Sequence, residues 1–298
     1  MRLKHTSLLT AVLTLVVAAP AFSQSDVRWK FKEGQNLRML LKTDVTTEAN
    51  VQGNAIETKM AQVFTVGWKV KAVKSDGSAE IVQTFDRVEL AMDSPFGEMK
   101  FDSDKKGEVE EGPLAGLTGP MKALVGAEMT MTMTPTGETK DMKIPAKVTE
   151  ALGGGGGAAG MMFSPDSIKS MMQQSGPGLP DKPLKVDESF TTKRDMPNPL
   201  GTMTVETTQT YKGPDPKDAK IEIFETKSKM SLKPNADSPF EVSLGDQDSR
   251  GELRFNKALG RIDSATTVQQ MEMKIKIMDM EITQNVTSKS VMTITEVQ

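Results

Sequence analysis

Two stretches of the chain carry the residues best suited to chemistry, and they are versions of one phrase. DSPFGEMKFDSDKKGEVE (93–110) and DSPFEVSLGDQDSRGELR (237–254) lie 144 residues apart and align without a gap, with eight identities in 18 columns. Inside them, Asp102-x-Asp104-x-Lys106-Gly107 and Asp246-x-Asp248-x-Arg250-Gly251 begin as a calcium loop begins. An EF-hand loop needs an oxygen ligand at its fifth position and a bidentate Glu at its twelfth. Here the fifth is Lys106 or Arg250 and the twelfth is Pro113 or Lys257, so both copies fail in the same places. The phrase reads better as turn chemistry. Asp-Ser-Pro opens a turn, Asp102 or Asp246 accepts from an amide two residues on, and Gly107 or Gly251 takes positive φ. Repetition at a fixed offset then follows from duplication of a β-meander.

Other candidates are thin. Ser103-Asp104-Lys105-Lys106 has the Ser-x-x-Lys form but lacks the companion signatures of lactamase-type enzymes. Glu108, Glu110 and Glu111 read as a solvated loop, and Asn285-Val286-Thr287 is a glycosylation sequon by pattern alone. The chain has no cysteine, and its one histidine, His5, falls in an expected signal peptide. Without Cys or His there is no Ser-His-Asp or Cys-His nucleophile and no zinc site built on thiolate or imidazole. No catalytic, cofactor-binding or metal-ligating residue is nominated, and no cofactor is expected.

The elements that would position any site are strands. From Ile56 to Ala72 the even positions are mostly apolar (Ile56, Met60, Phe64, Val66, Trp68, Val70), while the odd ones include Glu57, Lys59, Lys69 and Lys71. A period of two with one wet face predicts a long, half-buried antiparallel strand, with a bend or bulge at Gly67. Leu37, Met39, Leu41 and Val45 predict its partner upstream across a turn at 50–54, and Ser75-Asp76-Gly77 predicts the next turn. Met129, Met131 and Met133 alternate with threonines before a turn at Pro135-Thr136-Gly137. Met271, Met273, Ile275 and Ile277 alternate with Glu272, Lys274 and Lys276, and a phase slip places a tight turn at Met278-Asp279. About a dozen strands are expected. Helix is expected only centrally, as short turns over 113–125 and a capped helix from Ser164 to Gly176. Gly153–Gly157, five glycines in a row, reads as a connector.

The predicted fold class is mainly β, with long antiparallel strands in two related β halves forming a large meander, half-barrel or barrel-like sheet around a short central helical segment. The expected segments are a signal peptide over 1–23, an N-terminal β half over 24–150, the glycine-rich connector and helix over 151–183, and a C-terminal β half over 184–298. Arg2 and Lys4 followed by the apolar run Leu8–Ala19 form the signal, cleaved after Ala21 or Ser23. The run is too short to span a bilayer, and no later one is long enough. The remaining chain carries 35 basic and 40 acidic side chains, which offers no footprint for nucleic acid. The protein is expected to be exported, secreted or periplasmic, and soluble. Methionine, at 22 residues, must supply much of the core or line an adaptable apolar surface.

WKFKEGQNLRM (29–39), VKAVKSDGSAEIVQTFDRVELAM (70–92), EGPLAGL (111–117), MTPTGE (133–138), MFSPDSIKSMMQQS (162–175) and LPDKPLKVDESF (179–190) resemble, in this order, an uncharacterised family of exported bacterial proteins. Phe190 stands where members of that family often have tryptophan. The resemblance implies no substrate, cofactor or catalytic residue. The leading expectation is a non-enzymatic envelope protein that binds a protein partner or scaffolds. The alternative is a carrier of a lipid or other apolar ligand on a methionine-rich sheet face, and the third is a carboxylate-based hydrolase.

Overall fold

The long alternation forms the long strand it predicts. The computed structural model describes residues 26–51, 53–95, 97–105, 115–153, 178–198, 201–235, 240–277 and 280–297. Strand β1 (Asn36–Val51) is followed by β2 (Asn54–Val73), β3 (Ala79–Ser94) and β4 (Gly97–Asp102). Next come α1 (Ala115–Leu124), β5 (Met129–Met133), β6 (Thr139–Lys143) and α2 (Ala146–Gly153). The rest is strand: β7 (Ser189–Asn198), β8 (Gly201–Asp215), β9 (Asp218–Pro234), β10 (Phe240–Asn256), β11 (Arg261–Ile277) and β12 (Met280–Glu296). All pair antiparallel in one open sheet ordered β6-β5-β3-β2-β1-β12-β11-β10-β9-β8-β7, with β4 on the far part of β3. The first and last strands pair at its centre, in register from Leu37–Glu296 to Val51–Ile282.

The expected turns are present. Asn50 Oδ1 accepts from Gly53 N, and Asp76 Oδ1 accepts from Ser78 N, with Gly53, Gly77 and Gly137 at positive φ. Ile277 pairs with Met280, which fits a tight turn there, although Met278 and Asp279 lie outside the described residues. The irregularity expected at Gly67 lies on the opposing strand. Register shifts between Thr65 and Val66 because Asp86 is an extra residue in β3, and its carboxylate oxygens lie 3.0 Å from where a Cβ on Gly67 would sit. That one residue moves the inward set of β3 from Ile81, Gln83 and Phe85 to Val88, Leu90 and Met92. Helix α1 lies where short turns were expected. The second helix, α2, was not expected, and it runs across the 150/151 boundary. The capped helix from Ser164 and Gly154–Gly157 lie outside the described residues.

The second DSPF phrase departs from expectation. In the first copy Asp104 N donates to Asp102 Oδ1 and Lys105 N to the Asp102 carbonyl, the turn foreseen; Gly107 lies outside the described residues. In the second, Asp246 and Gly251 lie inside β10, whose pairing with β11 is interrupted by register shifts between Leu244 and Gln247 and between Arg254 and Phe255. Gly251 does not take positive φ; its missing Cβ would lie 2.2 Å from the Thr266 carbonyl oxygen. The reason is the neighbour. β10 has the full length of β11 beside it, whereas β4 lies against Glu89–Ser94 of β3, whose earlier residues Ala79–Gln83 pair with β5.

The two faces differ in polarity. Lys42, Asp44, Glu57, Lys59, Lys274 and Lys276 are exposed on one, and the other carries Met39, Leu41, Phe64 and Val66. The apolar face is the concave one, the reverse of a bilayer-spanning barrel, whose outer band is apolar. Among the described residues no helix is long and apolar enough to cross a membrane.

One end of the curl is sealed by a strap, residues 26–31, in which Val27, Trp29 and Phe31 point inward. Trp29 stacks on Phe31, tilts against Trp68 and meets Phe255 edge-on, with ring centroids 5.6, 5.9 and 6.4 Å apart. Its backbone ties one margin to the far half of the sheet, Trp29 N donating to the Pro135 carbonyl in the β5–β6 turn and Lys30 N to that of Gly260 in the β10–β11 turn. Segment 178–184 completes the seal with buried Leu179 and Leu184, and Arg28 donates to the Pro180 and Asp181 carbonyls. Each large side chain buried here contributes about 1.5–3 kcal/mol.

A polar cluster pins the same end. Glu222 is 1% exposed; it accepts from the Tyr211 hydroxyl and at 2.6 Å from Lys257 Nζ. Asp215 accepts from Lys217 N and from the Arg254 guanidinium. Removing a buried acceptor strands its donor, at a cost of ~1–3 kcal/mol. Glu222→Ala should therefore lower unfolding stability by about 2–3 kcal/mol, because the Tyr211 hydroxyl and the Lys257 ammonium both lose a buried acceptor. Glu222→Gln should cost less, because it keeps an acceptor; urea titrations compare the two.

Candidate ligand-binding cavity

Strands far apart in the sheet order share one cavity. Its volume is about 570 Å³, and β1, β2, β3 and β7 through β12 all line it. β3 and β7 are eight places apart, roughly 38 Å in a flat sheet at ~4.8 Å per strand. Only a curled sheet brings both to one space. The volume lies within the usual range of small-molecule sites, about 300–1,000 Å³.

Register decides what faces inward. On the β1–β2–β12 side the wall is apolar: Met39 pairs with Val66, and Leu41 with both Phe64 and Met292. Across the middle runs a belt of hydroxyls and amides. Thr192 pairs with Thr207 and Thr207 with Ser228; further round, Ser249 pairs with Gln269 and Thr267 with Ser290. Thr207 and Ser228 share a hydrogen bond of 2.9 Å, as do Thr43 and Ser290 at 3.0 Å. Among the described residues that line it the only charge is Arg194, whose guanidinium burial pushes below its ordinary pKa.

Beside the belt the sheet has a seam. β9 and β10 pair only between Ile221–Lys227 and Arg250–Asn256. Beyond that the Gln247 side chain stands in for a strand rung, accepting from Met230 N and donating to the Met230 carbonyl, both at 2.8 Å. Ser228, Met230 and Ser249 at this seam face the cavity.

The methionines divide between the two roles considered for them. Met129, Met131 and Met133 are buried in the sealed end, while Met39, Met196, Met230 and Met292 line the cavity. The carboxylates of the first DSPF phrase are elsewhere and already engaged. Arg87 grips Asp102 with two hydrogen bonds, Nε to Oδ1 at 3.1 Å and Nη2 to Oδ2 at 2.9 Å, and lies 3.2 Å from Asp104. Ser103 Oγ accepts from Val88 N, and Lys106 and the three glutamates at 108, 110 and 111 lie outside the described residues. Asn285 is exposed on β12. Sequence reasoning missed Arg194, Gln209 and the hydroxyl belt. Thr192, Arg194 and Met196 do alternate as an inward set, but which set faces inward is fixed only by pairing with Thr207, Val205 and Met203.

These features define a class: an open, all-antiparallel sheet curled around a mainly apolar cavity. The chain belongs to a family of unknown function (DUF6263), whose model matches residues 76–295. Among solved structures it is similar to lipovitellin, described for its lipid–protein interactions, at 9% identity and a TM-score of 0.49. That match covers 90% of this chain, which spans about a quarter (26%) of the lipovitellin chain. It also resembles an outer membrane channel from Pseudomonas putida F1, at 8% identity, covering 94% of this chain and 100% of the channel, with a TM-score of 0.25. The Pseudomonas aeruginosa channel OccK5 matches at 5% identity and a TM-score of 0.22, covering 89% of this chain and 99% of the channel. None of these likenesses bears on function. A search of curated proteins returns no match.

The Arg87 clamp has a pH signature. Its hydrogen bonds, and that from Asp104 N, hold the Asp102 carboxyl below the usual carboxylate range. Asp215 is lowered likewise, first by Lys217 N and then by Arg254. A lowered folded-state pKa stabilises the fold above the ordinary value of about 4, and that contribution is lost as pH falls through the folded value. Asp102→Asn should lower the urea midpoint at pH 7 and narrow the difference between pH 7 and pH 3. An unchanged difference would mean the clamp is not coupled to folding.

Proposed function

We propose that this protein is a non-enzymatic carrier that holds an apolar or amphipathic small molecule in the hollow of its curled sheet. The observation that carries this reading is the cavity itself: about 570 Å³ of space left where a two-layer fold would have packed its core. Its apolar wall includes adaptable Met39, Met196, Met230 and Met292, side chains suited to ligands of varied outline. The chain's lack of cysteine, and of any histidine beyond His5, fits binding better than nucleophilic chemistry. The N-terminal basic and apolar run supports an exported, periplasmic or secreted setting.

A second reading, recognition of a protein partner, is supported by the open margin of the sheet. The outer edge of β7 pairs with no strand among the described residues, and extended peptides add to such edges. Two measurements decide between them. Native mass spectrometry of protein purified from its own host should show a stoichiometric bound lipid-like mass. N-phenyl-1-naphthylamine, an uncharged dye that brightens in apolar surroundings, should bind saturably at one site per chain. Val205→Trp, which fills the cavity, should weaken dye binding at least tenfold with little change in melting temperature. A cavity that carries no such mass and takes up no dye removes the carrier reading.

A further inference from the structure

The cavity has an apolar end and a polar end, and the polar end is built. Gln209 on β8 is 2% exposed; its Nε2 donates to the Gly178 carbonyl at 2.9 Å, while its buried Oε1 has no hydrogen-bond partner. The carbonyl can only accept, so it fixes which way the amide points. Arg194 on β7 converges on the same place. Its Nη2 lies 3.9 Å from where a Cβ on Gly178 would sit, and the Thr192 methyl lies 3.1 Å from that point. One lone acceptor, one guanidinium and a glycine that leaves room between them thus meet at the sealed end. The opposite wall offers mainly carbon and sulfur, from Met39, Leu41, Phe64 and Met292.

We infer that the ligand is a single-tailed amphiphile whose acidic head, a carboxylate or phosphate that also carries an O–H or N–H donor, sits between Arg194 and Gln209. This rests on the carrier reading above and adds the class of ligand. A guanidinium presents paired N–H donors that match the oxygens of either acid, and in surroundings poor in water such charge-assisted bonds are strong. The free Gln209 Oε1 accepts from the head's own O–H or N–H, which an unsubstituted fatty acid lacks when ionised. The tail then lies along the β1–β2–β12 wall, and the Thr207–Ser228 belt marks the boundary between head and tail.

Competition against the bound dye, with four ligands of equal tail length, tests this. N-dodecanoylglycine should bind most tightly; dodecanoate and dodecyl phosphate should follow, and both should exceed dodecanol at least tenfold. Acetylglycine and inorganic phosphate, which have no tail, should not compete at millimolar concentration. Arg194→Met should bring the acids down to the affinity of dodecanol and leave dodecanol unchanged; Arg194→Lys should keep a preference for acids. The inference is overturned if the unaltered protein binds dodecanol as tightly as dodecanoate, a comparison that stands even if Arg194→Met fails to fold. It is also overturned if Arg194→Met keeps the preference. If the dye itself does not bind, the carrier reading fails first, so the two failures are distinguishable.

Discussion

A sheet with one apolar face must cover that face, and the described residues form no second sheet with which to do so. The cover is the sheet's own curl, and the curl is held from one end. Trp29 lies at the holding point. Its ring touches Phe31 of the strap, Trp68 of β2 and Phe255 of β10, while its backbone reaches the β5–β6 turn at Pro135. Strands from both halves of the sheet thus converge on one indole. The sealed end is a conventional core, and the strands running past it enclose a space that no side chain of the described residues fills. Core and cavity are two stretches of the same strands.

That division explains why polar groups tolerate the concave side. Gln83 is buried, yet it accepts from the Trp68 indole N–H directly across the ladder at 2.9 Å. Glu222, also buried, is held by Tyr211 and Lys257. In the sealed end these polar atoms are matched by protein partners. Among the described residues four buried side-chain atoms lack a partner, Trp29 Nε1, Thr139 Oγ1, Arg261 Nε and Gln209 Oε1, and of these residues Gln209 lines the cavity. A buried acceptor without a partner carries a free-energy cost, and native folds keep few of them.

Much of the architecture was legible because extended chains write their facing in alternate letters. Ile56–Ala72 announced β2, Asp76-Gly77 its exit, and the slip after Ile277 the β11–β12 hairpin. Legibility failed where neighbours decide. The acidic, glycine-ended part of the phrase is a strand end in one copy and mid-strand in the other, because β10 runs the full length of β11 while the earlier residues of β3 pair with β5 instead of a longer β4. Gly251 looked like a turn residue and is instead a point of close approach to Thr266. The cavity was harder still. Thr192, Arg194 and Thr207 sit in threonine-rich stretches whose two faces look alike on paper, and only sheet order and curvature bring them opposite Met39 and Phe64. The methionines signalled an adaptable apolar surface, but not its outline.

The pairing of β1 with β12 has a temporal consequence. Each half of the sheet grows from hairpins between near neighbours, which form early and at small entropic cost. The centre of the sheet cannot follow that schedule, since Leu37 must wait for Glu296. Until the last strand is synthesised, β1 and β11 each present a long open edge with nothing beside it, the kind of edge that invites pairing with another chain. A molecule cut short before Met280 would lack its keystone, leaving two partial sheets joined by the strap and by the middle of the chain.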